Sequence, residues 1–539
     1  MKKIKEFTPQ KLPFLTLFLI CVCCTLIFDQ TSFSLLNKNN CMLAFGIVLM
    51  CIIIFMFINS LRQKSKQKKL IYDPDFSNII FLIIVIGFLI RFVYVLYTPV
   101  DTRQHDVFSF GQNGPITEFK YERHAEYIEY ICRYLKLPNK NPTETGLSQL
   151  YHPPLHHILA ALWLRFNMLI SDSYRNACES IQFLTLFYSS CCMIISNKLM
   201  DELGLKNYYK LIPLSLICFH PTFIIMAGSV NNDILSITLS IYALLSAIKW
   251  YKNPSIKRIM AVGVSLGLSM MTKLSGALMA FGIAVLFIAK FFIDVRSDRN
   301  KLSLYVRQFA LFILVCAPLG LWWQVKNAVQ FGVPLTYVPA LSTKSNQYVG
   351  NYSILERLFE IPKESLQRIF VAWTDQNTYA SSYSEYNCIL GLLKTSVFGE
   401  FALFYKADDF LLPLSTVMCK TLFWSNVTLA LCSIISIVIC IKKKWYTYDK
   451  VVTISLITVW AITLLSYIKF CFEFAQTCTQ NFRYAVPALI VGVLFLAKIL
   501  SNSKKSSSII LKIFNIIIFV SSIVFGLSSV SVYLLLGAV

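Results

Sequence analysis

Long apolar runs, separated by short basic or polar stretches, set the pattern of this sequence. The run from Asn78 to Tyr97 (NIIFLIIVIGFLIRFVYVLY) carries a single charge, Arg91. About 20 such residues span a hydrocarbon core of roughly 30 Å. Thirteen runs predict spans, over 12–28, 42–60, 77–97, 178–196, 209–227, 234–250, 257–271, 274–292, 307–325, 418–441, 452–470, 484–500 and 511–535. An open chain in lipid must satisfy its own backbone hydrogen bonds, so every span is expected to be a helix. The fold class that follows is an all-α polytopic membrane protein. The pattern leaves two large loops, 98–177 and 326–417. Within the first, Glu122–Leu135 has apolar residues at helical spacing and reads as a helix lying along the membrane surface. Residues 154–170 are apolar but short, carry two histidines and an arginine, and read as a helix on the outer side rather than a span.

Composition agrees: 56% of residues are hydrophobic and 14% charged, with a mean hydropathy of +0.60. An ordinary soluble domain carries about 25% charged residues. The net charge of +22 could suggest nucleic acid, but the Lys and Arg residues cluster in 1–11, 62–69, 249–258, 296–301, 442–450 and 501–507. With thirteen spans, all six clusters fall on one side, the pattern that keeps positive loops in the cytoplasm. No nucleic-acid partner is expected, and the N-terminus is expected to be cytoplasmic. The leading MKKIKEF and its apolar run read as a retained first helix, since no clean small-residue cleavage site follows. Most of the 17 cysteines lie in apolar runs and behave as small hydrophobes. Cys132, Cys388, Cys471 and Cys478 fall in or near outer loops, where a disulfide is open but cannot be paired from sequence. The chain divides into 1–76 (two leading spans and a basic loop), 77–500 (the core) and 501–539 (a last span).

Candidate chemistry gathers on the outer side. All six histidines (His105, His124, His152, His156, His157 and His220) lie between positions 105 and 220. Ionisable groups at membrane depth or its edge are functional candidates by default. Asp106, in PVDTRQHD just past a span, suits a general base or a metal ligand. Asp101 is its rival, and either reads equally as a solvated loop aspartate. Asp233, in SVNND beside Asn232, is a second acidic candidate and also an ordinary helix-start residue. Tyr151-His152-Pro153-Pro154 opens the short outer helix; His152 would face a polar pocket, whereas His156 and His157 read as structural. Lys273 in MMTKLSG and Arg483 in QNFRYAVPAL suit a phosphate, or merely snorkel. No Walker-A loop, GxGxxG, GxSxG or HExxH occurs, which argues against a nucleotide cofactor, an ATP-driven pump and familiar hydrolases.

The order of these signals carries more than any one of them. An aspartate after a span is followed by YHPPLHHILAALWLRF, HPTFIIMAGSVNND, MMTKLSG, APLGLWWQVKNAVQFGVPL, LLKTSVFGEF and NFRYAVPAL. From about residue 77 to 500 this resembles the GT-C superfamily of membrane glycosyltransferases, which includes protein O-mannosyltransferases and the bacterial aminoarabinose and Rgt-type transferases. The resemblance implies a GT-C-like helical bundle whose first acidic residue is Asp106 and second is Asp233. It implies His152-Pro153-Pro154-Leu155 as the proline element and Arg483, Tyr484 and Pro487 as the late element. Lys394 and Glu400 fall in the segment that looks like the family's second loop. Where relatives carry glutamate and lysine before the two prolines, this chain has Tyr151 and His152, which leaves a divalent-metal role for Asp106, Asp233 and His152 open. The implied reaction moves a sugar from a polyprenyl phosphate, of dolichyl or undecaprenyl type, to a hydroxyl of a protein, lipid or glycan acceptor. It is expected on the extracytoplasmic or lumenal side, with inversion, in the endoplasmic reticulum membrane of a eukaryote or the inner or plasma membrane of a bacterium. In a eukaryote Asn351 (NYS) is a glycosylation sequon; Asn426 (NVT) is a second, at membrane depth. The alternatives are a transporter or flippase, a scaffold, or an inactive member of the same fold; against transport, the sequence shows no paired halves and few mid-span charges.

Overall fold

Every predicted span that falls among the described residues forms a helix. The computed structural model describes residues 13–28, 76–100, 115–116, 118–121, 123–144, 149–171, 173–205, 208–374, 383–399, 413–503 and 507–538. The predicted span 42–60 and the candidates Asp101, His105, Asp106 and Glu400 lie outside these residues.

The chain opens with α1 (Pro13–Ile27) and α2 (Ser77–Tyr97). The first large loop carries α3 (His124–Tyr134), α4 (Leu155–Asn167) and α5 (Tyr174–Glu179). The bundle continues with α6 (Ile181–Glu202), α7 (Tyr208–Cys218), α8 (Pro221–Gly228), α9 (Asp233–Lys252), α10 (Ile256–Thr272), α11 (Met279–Ser297) and α12 (Lys301–Phe331). The second large loop holds α13 (Ile354–Phe359), α14 (Lys363–Gln367) and α15 (Cys388–Phe398). A two-stranded antiparallel ladder in it pairs Trp373–Thr374 with Tyr383–Ser384. The helices α16 (Pro413–Lys442), α17 (Lys450–Glu473), α18 (Val486–Ser503) and α19 (Ile509–Ala538) complete the chain. Among the described residues nine helical stretches are long and apolar enough to cross a membrane, ten if the bent pair α7–α8 counts as one. The chain is an integral, multi-pass, all-α membrane protein. α1 does not stand apart from the bundle: Phe18 meets Trp163 and Phe187 edge-on, with centroids 6.0 and 5.4 Å apart.

The predicted span 209–227 is helical but broken: its two pieces, α7 and α8, meet at 44°. Pro221 supplies no N–H and cannot continue the hydrogen-bond ladder of α7. The carbonyls left over are met by side chains from elsewhere. The Arg91 guanidinium, from the middle of α2, donates to the carbonyls of Cys218 (2.5 Å) and Ile217 (3.3 Å), and to Ser189 Oγ at 3.0 Å. Ser529 of α19 donates to the Phe219 carbonyl. His220 caps α8, its Nδ1 accepting from the Thr222 N–H at 3.3 Å. Broken helices persist in membranes where neighbours satisfy the freed backbone in this way.

A close approach fixes a second pair of helices. In α10, Gly263 and Gly267 stand four residues apart against α12. A Cβ at Gly267 would sit 2.9 Å from Leu319 Cβ and 3.1 Å from the Cys316 carbonyl, so only glycine permits this spacing. The contact matters for the site, because α10 ends at Lys273 and α12 leads past Trp323.

In the loops, the segments 122–135 and 154–170 contain the helices α3 and α4. Cys132, Cys388, Cys471 and Cys478 are free thiols. Cys388 and Cys471 are buried with Tyr467 and Ala485 in one small apolar cluster. Asn351 is exposed and accepts from the Tyr348 hydroxyl. Asn426 is buried and donates to Ser396 Oγ at 2.9 Å.

Candidate active site

Three helix ends converge on one buried carboxylate. Asp233 opens α9, where the Asn231 side chain accepts from its backbone N–H at 3.2 Å. A helix N-terminus favours a carboxylate electrostatically. Lys273 terminates α10 in an extended conformation, and its N–H still reaches the Ser269 carbonyl at 2.9 Å. The chain then folds straight back as a 3-10 turn, Leu274–Leu278, against the helix it has just left. That return needs Gly276, because a Cβ there would lie 2.3 Å from Ser269 Oγ. Ser269 is itself tied to α9 through the Ser236 carbonyl (2.8 Å) and Ser240 Oγ (2.7 Å). Asn232, a further candidate, donates to the Thr272 carbonyl at 3.1 Å and so staples the same turn. Arg483 lies in a 3-10 turn, Phe482–Tyr484, just before α18, with Asn481 Oδ1 accepting from its N–H at 3.0 Å.

These ends place Lys273 Nζ in an ion pair with Asp233 Oδ1, while Arg483 stands 3.5 Å from Oδ2. Arg483 also donates to the Tyr484 hydroxyl at 3.0 Å, and Lys273 Nζ lies 4.7 Å from the centre of the Tyr484 ring. The structure thus brings together Asp233, Lys273, Arg483 and Tyr484.

Lys273, Arg483 and Tyr484 sit at the wall of a cavity of about 500 Å³, with Asp233 behind them. Lys273, Arg483, Tyr484, Tyr151, His152 and His124 line its polar part. Leu335, Val338, Pro339, Leu341, Phe470 and Phe474 make much of the rest. A smaller pocket of about 40 Å³ is lined by Asp233, Ser236, Ser240 and Thr463 together with Lys273 and Arg483. Apolar walls with a few convergent polar groups are the usual make-up of a ligand site.

The histidines separate by role. His152 packs against Tyr151, with centroids 3.9 Å apart, and stacks on His124 at 5.3 Å. His124 Nδ1 and His157 Nε2 share a hydrogen bond of 2.8 Å. His156 and His157 are both buried, His157 against Tyr127 of α3 with centroids 4.1 Å apart and His156 facing Tyr188 of α6 at 6.3 Å. Burial pushes His156 down to about 3; nearby His124 adds to the fall and Asp233 opposes it. Burial, then His124, His156 and His152, holds His157 well below its usual 6.5. Both are neutral rings that support the wall.

Lys394 lies apart from this cluster and lines neither pocket. It is sealed in α15, donating to Glu385 Oε2 at 2.6 Å and to the Tyr383 hydroxyl at 2.9 Å. Ser365 and the Asn387 N–H complete Glu385 at 3.0 and 3.2 Å. Burial pulls the Lys394 ammonium down, and the Glu385 charge opposes that. α15 does reach the site indirectly. Thr395 Oγ1 accepts from the Phe482 N–H at 2.9 Å, and Gln480 donates to the Glu385 carbonyl at 2.9 Å. The buried pair therefore backs the turn that carries Arg483.

No three His, Cys, Asp or Glu side chains group as metal ligands among the described residues, which leave out the candidate ligand Asp106. Each oxygen of Asp233 faces a cation already. Sequence reading missed His124 as a partner of His152, and missed Gln149 and Gln324, which also line the cavity. Their signal was weak: a lone glutamine in a loop or in an apolar run marks no chemistry by itself.

No protein-family model matches the chain, and no curated protein matches its sequence. Solved structures to which it is similar include ArnT from Cupriavidus metallidurans in the apo state, with 10% identity, a TM-score of 0.43, and 86% of this chain and 77% of that one covered. The Archaeoglobus fulgidus oligosaccharyltransferase in the apo form has 14% identity and a TM-score of 0.46, covering 86% of this chain and 56% of that one. The chain thus spans about half the length of that enzyme. ArnT bound to undecaprenyl phosphate has 11% identity and a TM-score of 0.32, with 79% of each chain covered.

Proposed function

We propose that this protein is a membrane glycosyltransferase that moves a sugar from a polyprenyl phosphate to an acceptor hydroxyl on the outer side of the membrane. One observation carries the reading: two cations, Lys273 and Arg483, are paired with the buried carboxylate of Asp233 and line the wall of a largely apolar cavity. Such a wall suits a lipid chain, and such a pole suits its phosphate. Two cations and one carboxylate leave a net charge of one positive. A sugar phosphodiester carries one negative charge and becomes a dianionic monoester as it leaves, so attraction grows along the reaction. Stabilisation that increases toward the transition state is what lowers the barrier.

In this reading the acceptor oxygen attacks the anomeric carbon from the face opposite the phosphate. The new C–O bond forms as the bond to the phosphate oxygen breaks. The electron pair leaves with the phosphate, and configuration inverts. Asp106 takes the acceptor's proton, a role that comes from the motif order and requires hydrogen-bond reach of the acceptor. Asp233 serves as the anchor of the two cations rather than as base. His152 and Tyr151 shape the cavity beside them. The motif order, from Asp106 through His152-Pro153-Pro154 to Arg483, supports the same class.

The test is a transfer assay in membranes with a panel of radiolabelled polyprenyl-phosphate sugars, comparing wild type with Asp106→Asn. Transfer by wild type, reduced about 10²–10⁴-fold in a variant that still inserts, is the expected result. Turnover of no donor would sink the reading and favour transport of a lipid instead. Equal activity in Asp106→Asn would remove Asp106 as base and leave the transferase standing.

A further inference from the structure

Gln324 is a buried amide on the wall of the same cavity. It lies near the end of α12, only 6% exposed. Its Oε1 is shut off from solvent and accepts no hydrogen bond from any described residue. The backbone under it is fixed. Adjacent Trp323 donates its indole N–H to the Leu150 carbonyl at 3.0 Å, tying α12 to the 3-10 turn Gln149–Tyr151. Lys326 lies 4.3 Å from the centre of the Trp323 ring. On the far side α12 is held to α10 by the Gly263–Gly267 contact, and α10 delivers Lys273 to the same cavity. The backbone that carries the amide is therefore held in a frame shared with the cation site, and the amide meets a ligand in the cavity by turning about its own side-chain bonds.

A buried polar group without a partner is unfavourable, and a ligand that supplies the partner removes that cost. The chemistry of the partner can be read from the amide. A carboxamide both donates and accepts. A phosphate only accepts, and it is already served by Lys273 and Arg483. A polyprenyl chain does neither. A sugar hydroxyl both donates and accepts, and it is the one part of the proposed donor that matches. We infer that Gln324 is a specificity-determining residue, whose amide pairs with a hydroxyl of the sugar on the polyprenyl phosphate. The inference rests on the transferase reading and adds which residue distinguishes one sugar from another. A site built to hydrogen-bond a hydroxyl rejects the analogue that lacks it far more strongly than an apolar pocket rejects an extra group.

The test uses full-length protein in nanodiscs, a donor that wild type accepts, and the monodeoxy analogues of that donor. Wild type is expected to lose about 10–100-fold in kcat/KM on one of the deoxy analogues, the effect of one missing buried hydrogen bond. Gln324→Leu is expected to lose a similar factor on the parent donor and to be indifferent to removal of that one hydroxyl. Gln324→Glu, which keeps the acceptor, is expected to restore part of the discrimination. Binding of polyprenyl phosphate without a sugar should be unchanged in Gln324→Leu and weakened in Arg483→Gln. The inference is overturned if Gln324→Leu ranks all the deoxy donors as wild type does, or if it weakens the sugar-free phosphate as much as the parent donor. If wild type transfers no sugar but binds the sugar-free phosphate, the transferase reading fails, and with it this role for Gln324. That result is distinct from active transfer with unchanged discrimination.

Discussion

Two regions of this molecule bury cations in apolar surroundings, and they have opposite consequences. At the break between α7 and α8, Arg91 is fully buried and donates to the carbonyls of Gly87, Ile217 and Cys218 and to Ser189. All its partners are part of the fold, and no cavity described above is lined by it. At the junction of α9, α10 and α18, Lys273 and Arg483 share Asp233 and also line the large cavity. There the fold supplies a carboxylate that keeps the two cations close, with an apolar chamber beside them. A buried cation at membrane depth thus marks a function only when part of its surroundings is cavity. Arg91 was the most conspicuous mid-span charge in the sequence, and its work is to repair a broken helix.

The comparison can be broken first at Arg91. Arg91→Met would strip the Ile217 and Cys218 carbonyls of their donor, at roughly 1–3 kcal/mol each. The expected result is a protein that unfolds several degrees lower in detergent but, once folded, binds polyprenyl phosphate as wild type does. Weaker binding in the folded fraction would show that the break is part of the site. Lys394→Met tests the intermediate case of a sealed pair. Leaving Glu385 buried alone should cost about 3–5 kcal/mol, and the double change Lys394→Met with Glu385→Leu should recover much of it in a thermal melt. If the double variant is stable yet inactive, the pair does more than back the Arg483 turn. Arg483→Gln sharpens the other side. It should reduce transfer about 10²–10³-fold, the usual loss when one stabilising donor is removed, with a smaller change in melting temperature than Arg91→Met.

The smallest expected effect is a pH dependence of stability. His156 and His157 are held neutral in the fold, below their usual 6.5. The unfolded chain therefore binds protons that the folded chain refuses as pH falls below 6.5. Their contribution is fully present above 6.5 and is lost on acidification, by about 1.4 kcal/mol per pH unit for each ring. Melting temperatures between pH 7.5 and 5.5 should fall accordingly, and replacing either ring by Gln should remove about half of that slope. A slope that survives both replacements would place the titration elsewhere.

The sequence by itself determined the class of molecule. Apolar runs in lipid leave the backbone no choice but helices, and helix starts and stops are local events. That is why Asp233, Lys273 and Arg483 could each be placed at a helix end from neighbouring residues alone. Their meeting was not local: 40 residues separate Lys273 from Asp233, and a far longer stretch separates Asp233 from Arg483. Only the packing of α9, α10 and α18 puts one carboxylate between two cations. Lys394 shows the same limit from the other direction, since nothing in LLKTSVFGEF reveals that Glu385 and Tyr383 seal it away from the cavity. Gln324 was silent for a physical reason. In a sequence, a glutamine among apolar residues is only a tolerated helix former, and it acquires meaning when burial removes water and the fold supplies no partner.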